Sequence, residues 1–231
     1  MEKVTRREFI VDSTMMTAGA IGAITLGSGL LSPEKAQAAK EKFLETSCGI
    51  AKGEGHKALV AYASDCGSTG EVAEAIGQVL CDSGMAVDVR LVESVKDLSS
   101  YQTAVIGSPV HAGKWLPEAV KFMEKNQKVL SQMSVAYFLT CLTLYKSNDQ
   151  THSKARSYLD PVLDMFPQVK PVDMGLFAGV LDYSKLSFIT GMIVKSKMKK
   201  KEVPEGDHRN WDAIRSWAKG LSSNLQVLRK G

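Results

Sequence analysis

Residues 58–70 read Ala-Leu-Val-Ala-Tyr-Ala-Ser-Asp-Cys-Gly-Ser-Thr-Gly, and this stretch decides the fold. Its first part, Ala58–Ala63, is an apolar run with the length and composition of a buried parallel strand. The run breaks into a short loop of small and hydroxyl residues, and from Thr69 onward apolar residues recur at helical spacing. This order of strand, tight turn and helix predicts an α/β unit whose loop lies at a helix amino terminus.

The loop between this strand and this helix is predicted to bind a phosphate. Amide N–H groups and the positive end of the helix dipole favour an anion there. Ser64, Ser68 and Thr69 add hydroxyl donors, and Gly67 and Gly70 add their amides and let the backbone approach closely. The loop has no Lys or Arg. It lacks the Gly-Lys-Ser/Thr ending of a nucleoside-triphosphatase P-loop and the Gly-x-Gly-x-x-Gly motif of dinucleotide-binding proteins, so we expect a phosphate monoester held by neutral donors. On this loop alone, an ordinary turn with a Ser or Thr cap is the alternative.

Beyond residue 57 the chain alternates between apolar and helical segments. Strands are predicted at residues 58–63, 86–92, 102–107, 134–140 and 172–180, and helices at 69–82, 116–130, 153–166, 186–199 and 209–227. Five apolar strands separated by helices predict an α/β fold with a doubly wound, five-stranded parallel sheet and helices on both faces. Ligands bind beyond the carboxyl ends of such strands, so the loops after strands one, three and four form the expected site.

The loops after the third and fourth predicted strands favour a flat ring system tethered by a phosphate. Residues 107–117 hold two glycines, two prolines and Trp115, an aromatic residue that would flank such a ring. Residues 140–145 offer small and polar residues and a second aromatic. The phosphoacceptor receiver domain is excluded, because it needs an Asp at the end of strand three, where this chain has Gly107 and Ser108.

Composition excludes further classes of function. At 231 residues and 44% hydrophobic content the chain can bury one core of α/β size, and a net charge of +4 is too small to indicate nucleic-acid binding. The four cysteines show no Cys-x-x-Cys spacing, so no metal or iron–sulfur site is expected. An oxidising compartment would allow one disulfide. Cys66, next to a helix amino terminus, is expected to be reactive, and Cys81 and Cys141 are expected to be packed thiols.

The first 38 residues are typical of a targeting segment. Arg6-Arg7 precedes a weakly hydrophobic run, Met15–Leu31, and Ala36-Gln37-Ala38 supplies small residues at cleavage spacing. A permanent membrane anchor or an ordinary amphipathic helix is the alternative, but a membrane span needs about 20 strongly apolar residues. We therefore predict a twin-arginine signal at 1–38, a linker at 39–56 and one domain at 57–231. The protein is then expected in the periplasm or at the outer face of the cytoplasmic membrane.

A segment near the carboxyl terminus, Leu186–Lys201, combines a broad apolar face with lysines crowded at its ends. This profile is typical of an interfacial helix that attracts anionic lipid, which predicts peripheral membrane contact. A core helix with a solvated lysine tail is the alternative.

On these motifs the chain resembles the flavodoxin superfamily over residues 57–225. The resemblance implies a five-stranded parallel sheet with the strand order 2-1-3-4-5. Ser64–Thr69 corresponds to the Ser/Thr-x-x-Gly-x-Thr loop that holds the phosphate of FMN. The chain is similar in particular to the menaquinone-dependent protoporphyrinogen dehydrogenases, through residues 107–115, Gly179-Val180-Leu181-Asp182-Tyr183 and Asn210-Trp211. His111 stands where that branch tends to have Arg.

The resemblance implies FMN as the cofactor. The residues implied to bind it are Ser64, Asp65, Cys66, Gly67, Ser68, Thr69, Gly70, Pro109, Val110, His111, Ala112, Gly113, Trp115, Thr140, Cys141 and Leu142. The flavin carries the electron chemistry, so no catalytic side chain is assigned. His111 is a candidate donor to the flavin or to a substrate carboxylate, and a solvated loop histidine is the alternative.

The function implied by the resemblance is that of an FMN-dependent oxidoreductase. It would transfer electrons between a substrate or redox partner and a quinone-like acceptor, in the manner of a protoporphyrinogen oxidase. Two alternatives stay open, an exported flavodoxin-type electron carrier without its own substrate and a flavodoxin-like binding module that has lost FMN. Electron carriers of this type usually have an acidic surface, so the net charge of +4 favours the enzyme.

Overall fold

The computed structural model describes residues 43–49, 57–186 and 188–228. The strands are β1 (Thr46–Cys48), β2 (Lys57–Tyr62), β3 (Ala86–Leu91), β4 (Thr103–His111), β5 (Lys114–Trp115), β6 (Ser134–Cys141), β7 (Pro171–Ala178), β8 (Val180–Leu181) and β9 (Gly206–Asp207). The α-helices are α1 (Ser68–Asp82), α2 (Pro117–Leu130), α3 (Asp149–Ser157), α4 (Asp160–Met165), α5 (Phe188–Lys200) and α6 (Trp211–Leu228). The predicted signal at 1–38 lies outside the described residues.

The central sheet has the order β1-β3-β2-β4-β6-β7. Strands β2, β3, β4, β6 and β7 pair in parallel, and numbered by themselves along the chain they lie in the order 2-1-3-4-5. The predicted doubly wound sheet is therefore confirmed. Strand β2 lies inside it and is apolar from Ala58 to Tyr62 because both of its faces are covered.

The two faces of the sheet bury separate apolar clusters. Alternate residues of β2 supply both, with Leu59 and Ala61 on one side and Val60 and Tyr62 on the other. The first cluster packs against α2, α3 and α4, and the second against α1 and α6. All the loops at the carboxyl ends of the parallel strands consequently stand on a rigid base.

The structure corrects the predicted linker at 39–56. Within it, Thr46–Cys48 forms β1, which pairs antiparallel with β3 and closes that edge of the sheet. A disulfide joins Cys48 to Cys81 of α1, so the expectation of a packed thiol at Cys81 is wrong. Three polar residues carry no periodic signal, and their strand exists because tertiary partners hold it.

The predicted helix at 153–166 is two helices. The first begins at Asp149, four residues before the predicted start, because Asn148 and Thr151 form a capping box. The second begins at Asp160 with Pro161 in its first turn, where a missing N–H costs nothing. Among the described residues no helix is both long enough and apolar enough to cross a bilayer.

Candidate functional site

The loop between β2 and α1 has the shape of an anion site. Gly67 precedes the helix with φ of 87°, a conformation that favours glycine, and no side chain caps the helix. The Gly67 amide donates to Ser64 Oγ at 2.9 Å, and the Gly70 amide donates to the Gly67 carbonyl at 2.9 Å. These two amides, which the sequence suggested as phosphate donors, are therefore already used within the loop.

The donors that remain lie one position further along. Within the described part of the chain, the amide N–H groups of Ser68 and Thr69 have no hydrogen-bond partner. The hydroxyls of Ser64 and Ser68, both half-buried, are the nearest side-chain donors in the loop. Gly70 must stay small, because a Cβ atom there would lie 2.8 Å from the Tyr62 hydroxyl. The donor set is neutral and suited to a phosphate.

Thr69 points inward rather than into the loop. Its side chain is buried, and its Oγ1 lies 3.0 Å from Oγ1 of Thr140, which is also buried at the end of β6. The Thr69 hydroxyl thus joins the first loop of the site to the third. The backbone amide of Thr69, rather than its side chain, is therefore the group that stays available to a ligand in the loop.

Arg209 contacts the same loop from outside, although it lies far away in sequence. Its guanidinium donates to the Ser68 carbonyl at 3.0 Å and forms ion pairs with Glu71 at 2.8 Å and Asp207 at 2.7 Å. Burial opposes its charge, but the bonds to Asp207 and Glu71 raise the pKa of Arg209, and the bonds from Arg209 lower the pKa of Asp207. A charged side chain from a distant segment therefore contacts the backbone of the phosphate loop.

The second loop of the site is a β-hairpin. Strand β4 continues past the predicted end at Gly107 and turns into β5 through Ala112 and Gly113, whose φ angles are 52° and 84°. Two positive φ values are typical of a tight hairpin turn. Ser108 fixes the hairpin, because its buried hydroxyl donates to the Pro109 carbonyl at 2.8 Å and accepts from the Leu116 amide at 2.9 Å.

His111 joins this hairpin to the phosphate loop. Its Nδ1 lies 3.0 Å from the Asp65 carboxylate, and both side chains are about half exposed. The structure therefore brings these two predicted site residues together. Pro109 and Val110 lie on the same strand and are partly exposed, and Val110 also packs against the apolar cluster of the core.

Trp115 does not flank an open ring site. It is 1% exposed and packs edge-on against Tyr137, with ring centroids 5.5 Å apart. A ring packed in the core has no free face for a ligand, so the structure contradicts the prediction of an aromatic wall. Residue 115 turns inward because it is paired with Val110 across the hairpin.

The third loop begins where β6 ends. Thr140 and Cys141 are buried and Leu142 opens a short 3₁₀ turn, Leu142–Tyr145. Burial raises the pKa of the Cys141 thiol, in keeping with the prediction of a packed residue. The Tyr158 hydroxyl lies 2.9 Å from Thr143 Oγ1.

Tyr158 is an aromatic residue beside the second and third loops, and it also packs against the core. A Cβ atom at Gly113 would lie 3.5 Å from the Tyr158 ring, so this tyrosine stands between the second and third loops. The segment after β7 also reaches the site, since the His208 ring lies 4.8 Å from the Tyr145 ring and the Cys66 thiol lies 3.9 Å from the Lys185 carbonyl. Reactivity of Cys66 stays a prediction.

Sequence reasoning missed Ser108, Tyr158, His208 and Arg209. Only Ser108 had a signal, because it follows Gly107 at a strand end in a loop already selected. The others come from segments whose spacing gives no hint of where the fold returns them. Among the described residues no group of three or more His, Cys, Asp or Glu side chains is placed to hold a metal ion.

This chain is similar to a known protein family and to proteins of known activity. The family model described as Flavodoxin domain matches residues 59–207, which is more than half of the chain. Protoporphyrinogen IX dehydrogenase [quinone] of Escherichia coli strain K12 is 25% identical over 179 residues, covering 72% of this chain and 94% of that protein. The protein of the same name from Leishmania major is 25% identical over 181 residues, covering 72% and 75%.

One solved structure, a short-chain flavodoxin associated with a non-canonical PDU bacterial microcompartment, aligns with a TM-score of 0.48 and 14% identity. It covers 73% of this chain and 98% of its own.

Proposed function

This chain belongs to the flavodoxin domain family, and from that premise we propose that it is an FMN-dependent oxidoreductase with a quinone-like electron acceptor. The observation that carries the proposal is the loop at the start of α1. Its free amides at Ser68 and Thr69 and its hydroxyl side chains form a neutral cradle for one phosphate. The hairpin and the loop after β6 adjoin that cradle, as a ring tethered by one phosphate requires.

The chain's own residues bind and orient the cofactor. Ser64, Ser68 and the amide of Thr69 would hold the phosphate, while backbone groups of residues 109–113 and 140–142 would contact the ring. Bound FMN supplies one- and two-electron transfer, and such contacts tune its reduction potential. His111, whose Nδ1 lies 3.0 Å from the Asp65 carboxylate, would donate a hydrogen bond to the flavin or to a substrate carboxylate.

The proposed reaction is the oxidation of a reduced substrate by a quinone. Each turnover removes two electrons and two protons from the substrate and delivers them to the quinone, which becomes the quinol. The names of the two relatives supply the candidate substrate, a porphyrinogen, and the candidate acceptor. The alternative function is an exported electron carrier without its own substrate.

The proposed place of work is the outer face of the cytoplasmic membrane. The twin-arginine pattern supports export, and the Cys48–Cys81 disulfide suits an oxidising compartment. Helix α5 adds a surface for the bilayer, because Ile189, Met192 and Ile193 are each more than half exposed on adjacent turns. Six lysines lie before this patch or beyond it toward the end of the helix: Lys185, Lys195, Lys197, Lys199, Lys200 and Lys201. The exposed apolar residues and the positive charge of the lysines support contact with an anionic lipid surface.

The function is tested with purified protein in three steps. Flavin released by acid is identified by chromatography, and FMN is expected rather than FAD. The photoreduced protein is then mixed, without oxygen, with a water-soluble menaquinone analogue, and rapid reoxidation of the flavin is expected. Finally, protoporphyrinogen IX is supplied with the quinone, and porphyrin fluorescence is followed against a protein-free control.

The outcomes separate the three candidate functions. Porphyrin formation that depends on both protein and quinone supports the enzyme. Flavin that is reduced and reoxidised without turnover of any substrate indicates the carrier, and protein that binds no flavin indicates a binding module. FAD as the main released species would contradict the proposed cofactor.

Membrane contact is tested by flotation with vesicles of phosphatidylglycerol and phosphatidylcholine. We expect the protein to float at low salt and to be released at high salt, because exposed charges are screened within about 10 Å at 0.1 M. Replacing Ile189, Met192 and Ile193 together by Ser should abolish flotation, whereas Val172→Ser, another exposed apolar residue, should not. Wild-type protein that stays in solution at low salt would show that α5 does not bind lipid.

A further inference from the structure

We propose that Arg209 is a positioning residue for the cofactor phosphate, acting through the peptide bond between Ser68 and Thr69. The inference rests on the proposed function, because it concerns the phosphate of FMN. Arg209 does not contact the phosphate in this proposal. It contacts the backbone whose N–H groups bind the phosphate, and it lies in the segment between β7 and α6.

The guanidinium of Arg209 is fixed on several sides. Its side chain is only 6% exposed, and its Nε and Nη2 donate to the two carboxylate oxygens of Asp207 at 2.9 and 2.7 Å. The Glu71 carboxylate lies 2.8 Å from Nη2. The guanidinium carbon Cζ lies 4.4 Å from the centre of the Trp211 ring. These contacts leave the orientation of the guanidinium little freedom.

The contact that matters for the phosphate is the remaining one, from Nη1 to the Ser68 carbonyl at 3.0 Å. The Ser68 carbonyl and the Thr69 N–H belong to one planar trans peptide, in which the two groups point in opposite directions. Because Arg209 holds the Ser68 carbonyl in place, it also holds the direction of the Thr69 N–H, which points the opposite way and has no partner among the described residues. A charged donor on the carbonyl also polarises the peptide and strengthens its N–H as a donor.

The same peptide is held at its other end by a separate contact. Thr69 Oγ1 lies 3.0 Å from Thr140 Oγ1 in the buried floor of the site. Arg209 and Thr140 thus fix the peptide from outside and inside. A binding loop with its donors fixed in advance loses less freedom when the ligand arrives, so its affinity rises.

Charge alone does not explain the arrangement. Arg209 with Glu71 and Asp207 has a formal charge of +1 − 2 = −1, which repels a phosphate rather than attracting it. Removing Arg209 would change this sum to −2, and removing the Glu71 charge as well would restore −1. The variant pair therefore separates geometry from electrostatics.

The test measures dissociation constants for FMN and for riboflavin, which lacks the phosphate, by quenching of flavin fluorescence. Four proteins are compared: the wild type, Arg209→Met, Arg209→Met with Glu71→Gln, and Arg215→Met. Arg215 is the matched control, because it forms an exposed ion pair with Asp212 on the next turns of α6. Circular dichroism and thermal melting confirm that each variant is folded.

We expect Arg209→Met to weaken FMN binding about 10- to 100-fold, the equivalent of one or two charge-assisted hydrogen bonds. Riboflavin binding should change by less than about twofold, because the ring site does not depend on the Ser68–Thr69 peptide. The double variant should stay as weak as the single one, and Arg215→Met should match the wild type.

Three results would overturn the inference. Recovery of FMN affinity in the double variant would show that Arg209 acts by charge, and an equal loss for riboflavin would show general damage to the domain. Wild-type affinity in Arg209→Met would show that the loop needs no support. A wild-type protein that binds neither flavin would instead contradict the proposed function, so the two failures are distinguishable. If Arg209→Met melts early, Arg209→Lys with the same pair of ligands provides the comparison, and it is expected to be intermediate for FMN only.

Discussion

Two ionic clusters, each built around one largely buried charged side chain, hold peripheral segments of this molecule, and they differ in what they hold. The first is built around an acid, Asp88 of β3, and lies toward the end of the sheet away from the binding loops. The second is built around a base, Arg209, and lies against the phosphate loop. The first joins a peripheral strand to the sheet and the second joins the segment before α6 to α1, and only the second includes the backbone of a functional loop among its partners.

The Asp88 cluster is saturated by side chains. Ser47 and the Tyr101 hydroxyl donate to the Asp88 carboxylate at 2.6 Å each, and Lys57 and Arg90 lie 3.0 and 3.3 Å away. Burial alone would raise the pKa of Asp88, but these four donors lower it to about 2. The cluster anchors β1, because Arg90 also donates to the Thr46 carbonyl at 2.6 Å.

A perturbed, buried charge does not by itself mark a functional site in this protein. Asp88 has a strongly shifted pKa, yet its partners satisfy each other and leave nothing for a ligand. Arg209 has equally strong partners, yet the peptide it holds presents an unpaired donor. The distinguishing feature is an unsatisfied group next to the cluster and not the charge within it.

The largest expected effect comes from the loop that the second cluster holds. The double variant Ser68→Ala with Thr69→Ala removes one hydroxyl of the cradle and the Thr69–Thr140 bond. FMN binding should weaken by about 2–5 kcal/mol, while the free energy of unfolding falls by only about 1 kcal/mol. Flavin titration and urea unfolding measure the two quantities. Ser47→Ala, which removes a hydroxyl from the other cluster, is the control and should leave FMN binding unchanged.

The next effect has the opposite signature. Asp88→Asn leaves Lys57 and Arg90 without their carboxylate and should lower the free energy of unfolding by about 3 kcal/mol. The dissociation constant of FMN should be the same as in the wild type, because the cluster contacts none of the three loops. Urea unfolding of the apoprotein provides the first value and flavin titration the second. A variant with weakened FMN binding would remove the distinction between the two clusters.

The smallest expected effect is the dependence of stability on acid. The pKa of Asp88 is depressed in the folded protein to about 2, from 3.8 for an unperturbed Asp. The folded state therefore gains stability above pH 4, at most about 2 kcal/mol, and loses it as the pH falls from about 4 to about 2. Unfolding measured across this range should be steeper in the wild type than in Asp88→Asn. Equal slopes would show that other carboxylates control the acid transition.

The sequence was sufficient for the parallel sheet, since unbroken apolar runs such as Ala58–Ala63 are typical of strands with both faces covered, and the strand order followed from the family resemblance. It was sufficient for the phosphate loop as a site, though not for its donors. Which amides are free depends on the turn geometry at Gly67, and that geometry is absent from any residue pattern.

The hairpin and the cation behind the loop were beyond sequence reasoning. Gly107, Pro109 and Gly113 are residues that usually end a strand, yet Pro109 lies within β4 and is paired with Thr140. The Ser108 hydroxyl stabilises this continuation of β4 by accepting a hydrogen bond from the Leu116 amide. Trp115 was misplaced for the same reason, because an unseen hairpin decides which way residue 115 faces. Arg209 lies 141 residues from Ser68, and no periodicity spans that separation.

The short strand β1 has a consequence for handling the protein. It is three residues long, but it occupies the outer hydrogen-bonding row of β3, and the disulfide to α1 keeps it there. A shortened chain beginning at residue 57 would leave that row bare, and a bare row of strand amides and carbonyls is a template on which a second copy can add its own strand. We expect such a chain to aggregate in proportion to its concentration while its flavin site stays intact, because the row lies on the far side of β3 from β2 and the phosphate loop.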